Sequence, residues 1–188
     1  MMRLDEIGMN WSHFVVFWLV SLSGGMVDAN QSLEDPNILK AVYLEKLARQ
    51  VEWPKNGSAQ IPMTPFVMVV FGENPFGTAL EQVYSAHQFL DRDLQVRYVS
   101  DLKDIGDCHL LFISSSDRKR VKEVLEVVKD KPILTVGDTK GFVDKGVHIN
   151  FVPRGSNVRF EINKKTAEES GLRMSYRILK LAIRVVKR

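Results

Sequence analysis

The chain has a single cysteine, Cys108, among 188 residues, so no disulfide can form within it. It has no apolar run long enough to cross a bilayer. The longest, Phe14 to Leu22, is nine residues with Ser21 inside it, against roughly twenty for a spanning helix. It has no strong charge of one sign. Its 26 basic and 23 acidic residues leave a net charge of +3, too little for the electrostatic footprint of a nucleic-acid binder. The basic residues Arg118, Lys119, Arg120, Lys122 and Lys129 are interspersed with Glu123 and Glu126, which describes a solvated helix face. Repeats and low-complexity runs are absent.

Catalytic signatures are missing too. There is no GxSxG. Ser116-Asp-Arg-Lys119 spells SxxK, but neither SDN nor KTG accompanies it, and the acyl-transfer enzymes that use SxxK need both. Gly72-Glu-Asn-Pro-Phe-Gly77-Thr78 has the glycine spacing of a phosphate loop without its lysine, and Pro75 removes an N–H from the cradle. His87, His109 and His148 have no second ligand at metal spacing, and are read as core or surface residues. His109 adjoins Cys108, but neighbours in a strand point to opposite faces and cannot form a nucleophile–base pair. Asp138 is the one carboxylate near the end of a strand in a doubly wound position. It has no partner carboxylate and reads as a turn aspartate.

What is present begins with an export signal. The apolar run Phe14–Leu22 suits the core of a secretory signal peptide, and Val27-Asp28-Ala29 offers small residues at the cleavage positions. Residues 1–29 are therefore read as a signal peptide and 30–188 as the mature domain. Met9 is an alternative start that drops Asp5 and Glu6. Cleavage removes Arg3 with Asp5, Glu6 and Asp28, and so raises the net charge from +3 to +5. In an oxidising compartment Cys108 is either a buried, inert thiol or one end of an intermolecular bridge.

The mature chain alternates helix and strand. Asp35-Pro36 supplies a cap and first-turn proline for a helix carrying Ile38, Leu39, Val42, Tyr43, Leu47 and Val51, which ends near Trp53-Pro54. Phe66–Phe71 is a buried-type strand. Asn74-Pro75 opens a second helix to about Phe89. Leu94–Val99 and His109–Ile113 are strands, and Ser116 and Asp117 cap a helix with Val121, Val124, Leu125 and Val128 inward. Pro132 to Asn163 carries three more apolar runs, the last two joined by a Gly155-Ser156-Asn157 turn. Val158, Phe160 and Ile162 share one face there, with Arg159 and Glu161 on the other. Thr166 and Glu169 offer a capping box, Gly171 a helix stop, and Ile178 to Val186 a last amphipathic helix. This order predicts a single α/β domain: a mixed, mostly parallel sheet of about six strands with helices on both faces. Arg159 and Glu161 form either a solvated face or, closed by Arg173, a polar pocket for a small zwitterion or a partner's charged side chain.

Four blocks carry a family resemblance. AVYLEKLARQVEWP, FVMVVFGENPFG, CHLLFISSS and the stretch from Pro132 to Ala182 resemble, in order and spacing, the YfiR-like periplasmic family over about residues 38 to 183. The resemblance implies a periplasmic, non-enzymatic repressor without a cofactor. Such a protein binds the periplasmic part of an inner-membrane diguanylate cyclase, or a related sensor such as a sensor kinase. It also implies an outer-membrane lipoprotein partner, leaves room for a homodimer, and involves no nucleic acid. Many members have a second cysteine where this chain has Val69, so a family-type disulfide is excluded here. The family's ligand pocket maps onto Arg159, Glu161 and Arg173. An alternative function is a periplasmic small-molecule binder that reports to a membrane receptor.

Overall fold

Alternating burial along the apolar runs builds two cores, one on each side of a sheet. The computed structural model describes residues 36–54, 65–85, 87–154 and 157–187. The expected signal peptide, the expected Asp35 cap and the expected Gly155-Ser156 turn lie outside them. The elements are α1 (Pro36–Ala48), β1 (Val51–Glu52), β2 (Phe66–Phe71), α2 (Ala79–Tyr84), β3 (Leu94–Val99), β4 (Leu110–Ile113), α3 (Val121–Val127) and β5 (Leu134–Gly137). They continue with β6 (Ile149–Arg154), β7 (Asn157–Asn163), α4 (Lys164–Glu169), β8 (Arg173–Met174), α5 (Tyr176–Leu181) and β9 (Arg184–Val186).

Seven strands form one sheet in the order β3-β2-β4-β5-β6-β7-β9. All neighbours are parallel except β6 and β7, which pair antiparallel with Phe151 opposite Phe160. The expected mixed, mostly parallel sheet is there, one strand larger than the expected six. Its continuous apolar strands follow from burial on both faces. Phe66, Met68 and Val70 of β2 point into a core shared with Leu44, Phe112, Phe151, Ile162 and Ile178, on the side of α1 and α5. Val69 and Phe71 point the other way, toward Val121, Val124 and Phe142 on the side of α3. Cys108 lies in that second core with Val69. It is fully buried and unbonded, and burial pushes its thiol up to about 12, which makes it the inert thiol.

Several local expectations give way to better-satisfied alternatives: Val51 belongs to strand β1, not to the first helix, and α3 begins at Val121 after a separate turn over Ser115–Asp117, so Ser116 and Asp117 do not cap it. The buried stripe of α1 is Ala41, Leu44, Leu47 and Ala48, rotated from the predicted face because this helix is apolar around most of its circumference. Asn74 makes a turn instead of a cap: its Oδ1 accepts from the Phe76 N–H at 2.9 Å and its Nδ2 donates to the Gly77 carbonyl at 2.8 Å. Helix α2 therefore starts only at Ala79, and Phe89 falls in an isolated bridge to Arg92. The cap of α4 is Asn163, whose Oδ1 accepts from the Thr166 N–H at 3.0 Å, so Thr166 is inside the helix. The last helix stops at Leu181. Ile183 then donates its N–H to the Phe160 carbonyl at 3.0 Å, and the β-branched pair Val185-Val186 continues as strand β9 beside β7.

Candidate functional site

In a doubly wound sheet, ligands enter where the strand order reverses. Here that point lies between β2 and β4. Chains of this order leave a crevice there, and in this chain the side chains of Ser116 and Asp117 bridge it. The Ser116 Oγ accepts from the Glu73 N–H at 2.9 Å and donates to Asp117 Oδ2 at 2.8 Å. Arg120 holds the other Asp117 oxygen at 3.4 Å while stacking 5.0 Å from the centre of the Phe71 ring. Gly72 makes the approach possible with φ of +94°; a Cβ there would stand 2.4 Å from Asp117 Oδ2 and 2.5 Å from Ser116 Oγ. The glycine-spaced turn is therefore structural, and Ser116 is spent on a latch. Gly72→Ala is expected to destabilise the fold by about 2 kcal/mol or more, from strained φ plus overpacking. A urea midpoint equal to that of the parent chain would show the crevice to be open.

One strand further along, Asp138 meets Lys40 of α1. Lys40 Nζ lies 3.2 Å from Asp138 Oδ2, with both side chains mostly buried, and 5.8 Å from the centre of the Phe76 ring. Asp138 Oδ1 and the Thr139 hydroxyl are buried with no hydrogen-bond partner among the described residues. The expected turn aspartate is thus also a clamp that ties the first helix to the sheet across 98 residues of sequence.

The histidines have structural roles that sequence spacing does not reveal. His109 Nδ1 accepts the Val67 N–H at 2.9 Å, and its ring stacks on Phe66 with centroids 4.7 Å apart. His148 Nδ1 accepts the Thr135 N–H at 3.2 Å, and the Thr135 hydroxyl accepts the His148 N–H at 3.0 Å. A backbone donor at Nδ1 places the ring proton on Nε2. His148 Nε2 therefore donates to Ser170 Oγ, 3.3 Å away. An imidazole in this tautomer cannot take a proton from that serine, so the pair is no nucleophile–base couple. Desolvation is the first cause that lowers both histidines to about 4; Arg92 adds to it at His109. His87 lies on the exposed surface after α2.

His148, Ser170 and Thr135 form the floor of a cleft of about 520 Å³ between the end of α3 and α4. Leu125 and Val128 supply an apolar wall, and Lys129, Lys145, Asp130 and Glu169 stand around it. Its volume is in the range of small-molecule sites.

The polar face of the β6–β7 hairpin is the fourth feature. Glu161 lies opposite Asn150 in the ladder. Arg159, two residues earlier on the same face, is exposed. Arg173 stands on β8, opposite Glu52 of β1. The cation that reaches Glu161 is Arg184 of β9, at 3.9 Å. Arg184 also donates to Asp144 at 3.0 Å, which holds that carboxyl below the usual carboxylate range. Asn150 is fully buried, and its amide N and O have no partner among the described residues. Sequence reasoning missed Asn150, Arg184 and Asp144. The one available signal was an amide at an inward position of the run Val147–Val152, whose only other polar residue is His148. Among the described residues no group of His, Cys, Asp and Glu is arranged to hold a metal ion, and no helix is long and apolar enough to cross a membrane.

The sequence profile of the YfiR/HmsC-like family matches residues 37–183. No curated protein matches the chain. Solved structures of similar fold include an ABC domain in complex with L-Trp from Streptococcus pneumonia, with a TM-score of 0.55 and 11% identity. A conserved domain protein from Vibrio cholerae o1 biovar eltor is similar at a TM-score of 0.55 and 10% identity. In both cases 80% of this chain is covered, and it spans only 60% of the other. At such identity the likeness is one of fold.

Proposed function

Because the chain belongs to the YfiR/HmsC-like family, we propose that it is a periplasmic signalling regulator that binds the periplasmic part of an inner-membrane diguanylate cyclase, or a related sensor, and holds it inactive. The observation that carries this reading is the family match across residues 37–183. It is supported by the chemistry of the interior. The switch-point crevice is latched by Ser116 and Asp117, and the Ser170–His148 pair has its proton on the wrong atom for catalysis. A repressor needs neither. It needs only to favour one state of its partner, and a swing from mostly active to mostly inactive takes roughly 5 kcal/mol of differential binding. Arg159, Glu161 and Arg173 are proposed as partner or ligand contacts on this reading. An outer-membrane lipoprotein that sequesters the regulator, and a homodimer, complete it.

The test is intracellular cyclic di-GMP in a strain lacking the gene. The expected result is a clear rise that returns to the parental level when the whole chain is re-expressed, but not when residues 1–29 are deleted. An unchanged level sinks the cyclase assignment.

A second reading rests on the cleft of about 520 Å³ at His148 and Ser170: a periplasmic binder that reports a small molecule to a membrane receptor. A compound that copurifies with the folded chain, seen by native mass spectrometry, distinguishes it. A chain that is always empty argues for protein binding alone.

A further inference from the structure

The last part of the chain has an unusual balance of charge. From Ser170 to Arg188 there are six basic residues and no acidic one. All 23 acids fall before it with the other 20 bases, so the remainder is net negative. This segment forms β8, α5 and β9. It also holds three of the four large hydrophobic side chains that are exposed among the described residues: Tyr176, Leu181 and Ile183. Tyr176, Arg177, Lys180 and Leu181 share one side of α5 by helical spacing, with Ile178 turned inward. Ile183 continues this surface to the edge of the sheet.

That edge is β9. It pairs with β7 on one side, and among the described residues no strand lies on its other side. Ile183 gives its N–H to Phe160. Because successive residues of a strand aim their backbone groups to opposite sides, the N–H and C=O of Arg184 and Val186 are directed away from β7. The surface therefore offers backbone hydrogen bonds, two aliphatic side chains and uncompensated positive charge together. The nearby acids are already engaged: Asp144 by Arg184, Glu168 by Lys164 at 3.2 Å and Glu169 by Lys165 at 2.6 Å. Arg177, Lys180 and Lys187 have no such acid among the described contacts; Lys180 lies over the Tyr176 ring at 4.9 Å.

We propose that α5 and β9 form the docking surface for an extended, acidic polypeptide segment of the partner, added as a further strand beside β9. Its carboxylates meet Arg177, Lys180 and Lys187, and an aliphatic side chain packs on Leu181 and Ile183. This rests on the regulator reading and names the partner's chemistry. An anionic bilayer would satisfy the charges, but its hydrocarbon cannot pair the outward backbone groups of a strand edge, and its headgroups present no donors and acceptors in the alternating register of a strand. A polypeptide strand satisfies both, with backbone bonds for affinity and side chains for choice.

The test places the photocrosslinker p-benzoylphenylalanine at position 181 or 186 of the full-length chain in its own host. Position 122, exposed on α3 at the opposite face, is the control. The expected result is a crosslink from 181 and 186 to one membrane protein, at least about tenfold above that from 122. The crosslinked peptide should be rich in Asp and Glu. Combining Arg177→Glu, Lys180→Glu and Lys187→Glu is expected to cut the yield by at least about tenfold, with the thermal midpoint within a few degrees of the parent. Crosslinks from 122 alone, crosslinks only to phospholipid, or a yield indifferent to charge reversal each overturn the proposal. If any of these accompanies the cyclic di-GMP rise, the regulator reading stands and only the surface is wrong. If the crosslinks appear as expected without the rise, the surface stands and the cyclase is replaced by another partner.

Discussion

Between pH 7 and pH 5 the folded chain is expected to lose about 4 kcal/mol of stability, about half from His109 and half from His148. Both side chains are nearly inaccessible, at 5% and 3% exposure, and both titrate near 4 in the fold against 6.5 for the free side chain. The unfolded chain therefore binds more protons across that window, so stability rises with pH there. It is complete above about 6.5 and is lost progressively as pH falls toward 4. The geometry gives the reason. Each Nδ1 is filled by a backbone N–H, Val67 for one and Thr135 for the other. A second ring proton would break that bond and leave a buried charge, which at His109 would also face Arg92 at 3.5 Å. Urea denaturation at the two pH values measures the loss. His148→Asn keeps an acceptor near Nδ1 and removes the titration, so it should roughly halve the dependence. Equal midpoints at pH 7 and pH 5 would falsify the account of both histidines.

Phe66→Ala is expected to cost about 3–5 kcal/mol, the usual range for removing a buried phenylalanine ring. Phe66 is fully buried and serves as a hub. Its ring centre lies 4.6 Å from that of Phe89, 4.7 Å from His109 and 6.3 Å from Trp53, with the Arg92 guanidinium 5.6 Å above it. Truncation opens a cavity and also uncovers His109. Two readouts should therefore move together: the midpoint falls, and the pH dependence shrinks toward the His148 share. Phe66→Leu, which fills most of the volume, should cost far less. A large loss with an undiminished pH dependence would mean that Phe66 does not shield the imidazole.

The strands were the legible part of this molecule. Phe66–Phe71, Leu110–Ile113 and Leu134–Gly137 are apolar on both faces because the sheet is covered on both faces, and that pattern needs no tertiary information. Helix ends were less legible, since they depend on which of several adequate caps is used. Asn163 displaced Thr166, and Asn74 turned back on its own loop. The run from Ile178 to Val186 reads equally as a helical stripe or as a helix followed by a short β-branched strand; the free carbonyl of Phe160, not the run itself, decides between them. The polar features were least legible. Lys40 and Asp138 are 98 residues apart, and nothing near either announces the other. Asn150 looked like one polar residue in a strand, and only the fold shows its amide to be sealed in. Arg159 and Glu161 could be placed on a shared face by alternation alone, whereas finding that Arg184 reaches Glu161 required the strand β9.

The small pair β1–β8 has a consequence for how the chain reaches this state. Val51 lies opposite Met174 and Glu52 opposite Arg173, while Ser175 bonds Gln50 through both its backbone N–H and its hydroxyl, each at 2.9 Å. The strand that follows the first described helix is thus fastened to residues more than a hundred positions further along the chain. Helix α1 packs against α2, where the Tyr84 hydroxyl donates to the Ala41 carbonyl at 3.0 Å, but the core it shares with Ile162 and Ile178 is complete only once β7 and α5 have joined. Closing so long a loop is slow, and a truncated product could not complete the core at all. The seam therefore works as a check on folding: only a chain that extends through β8 and α5 can complete the core around its first described helix.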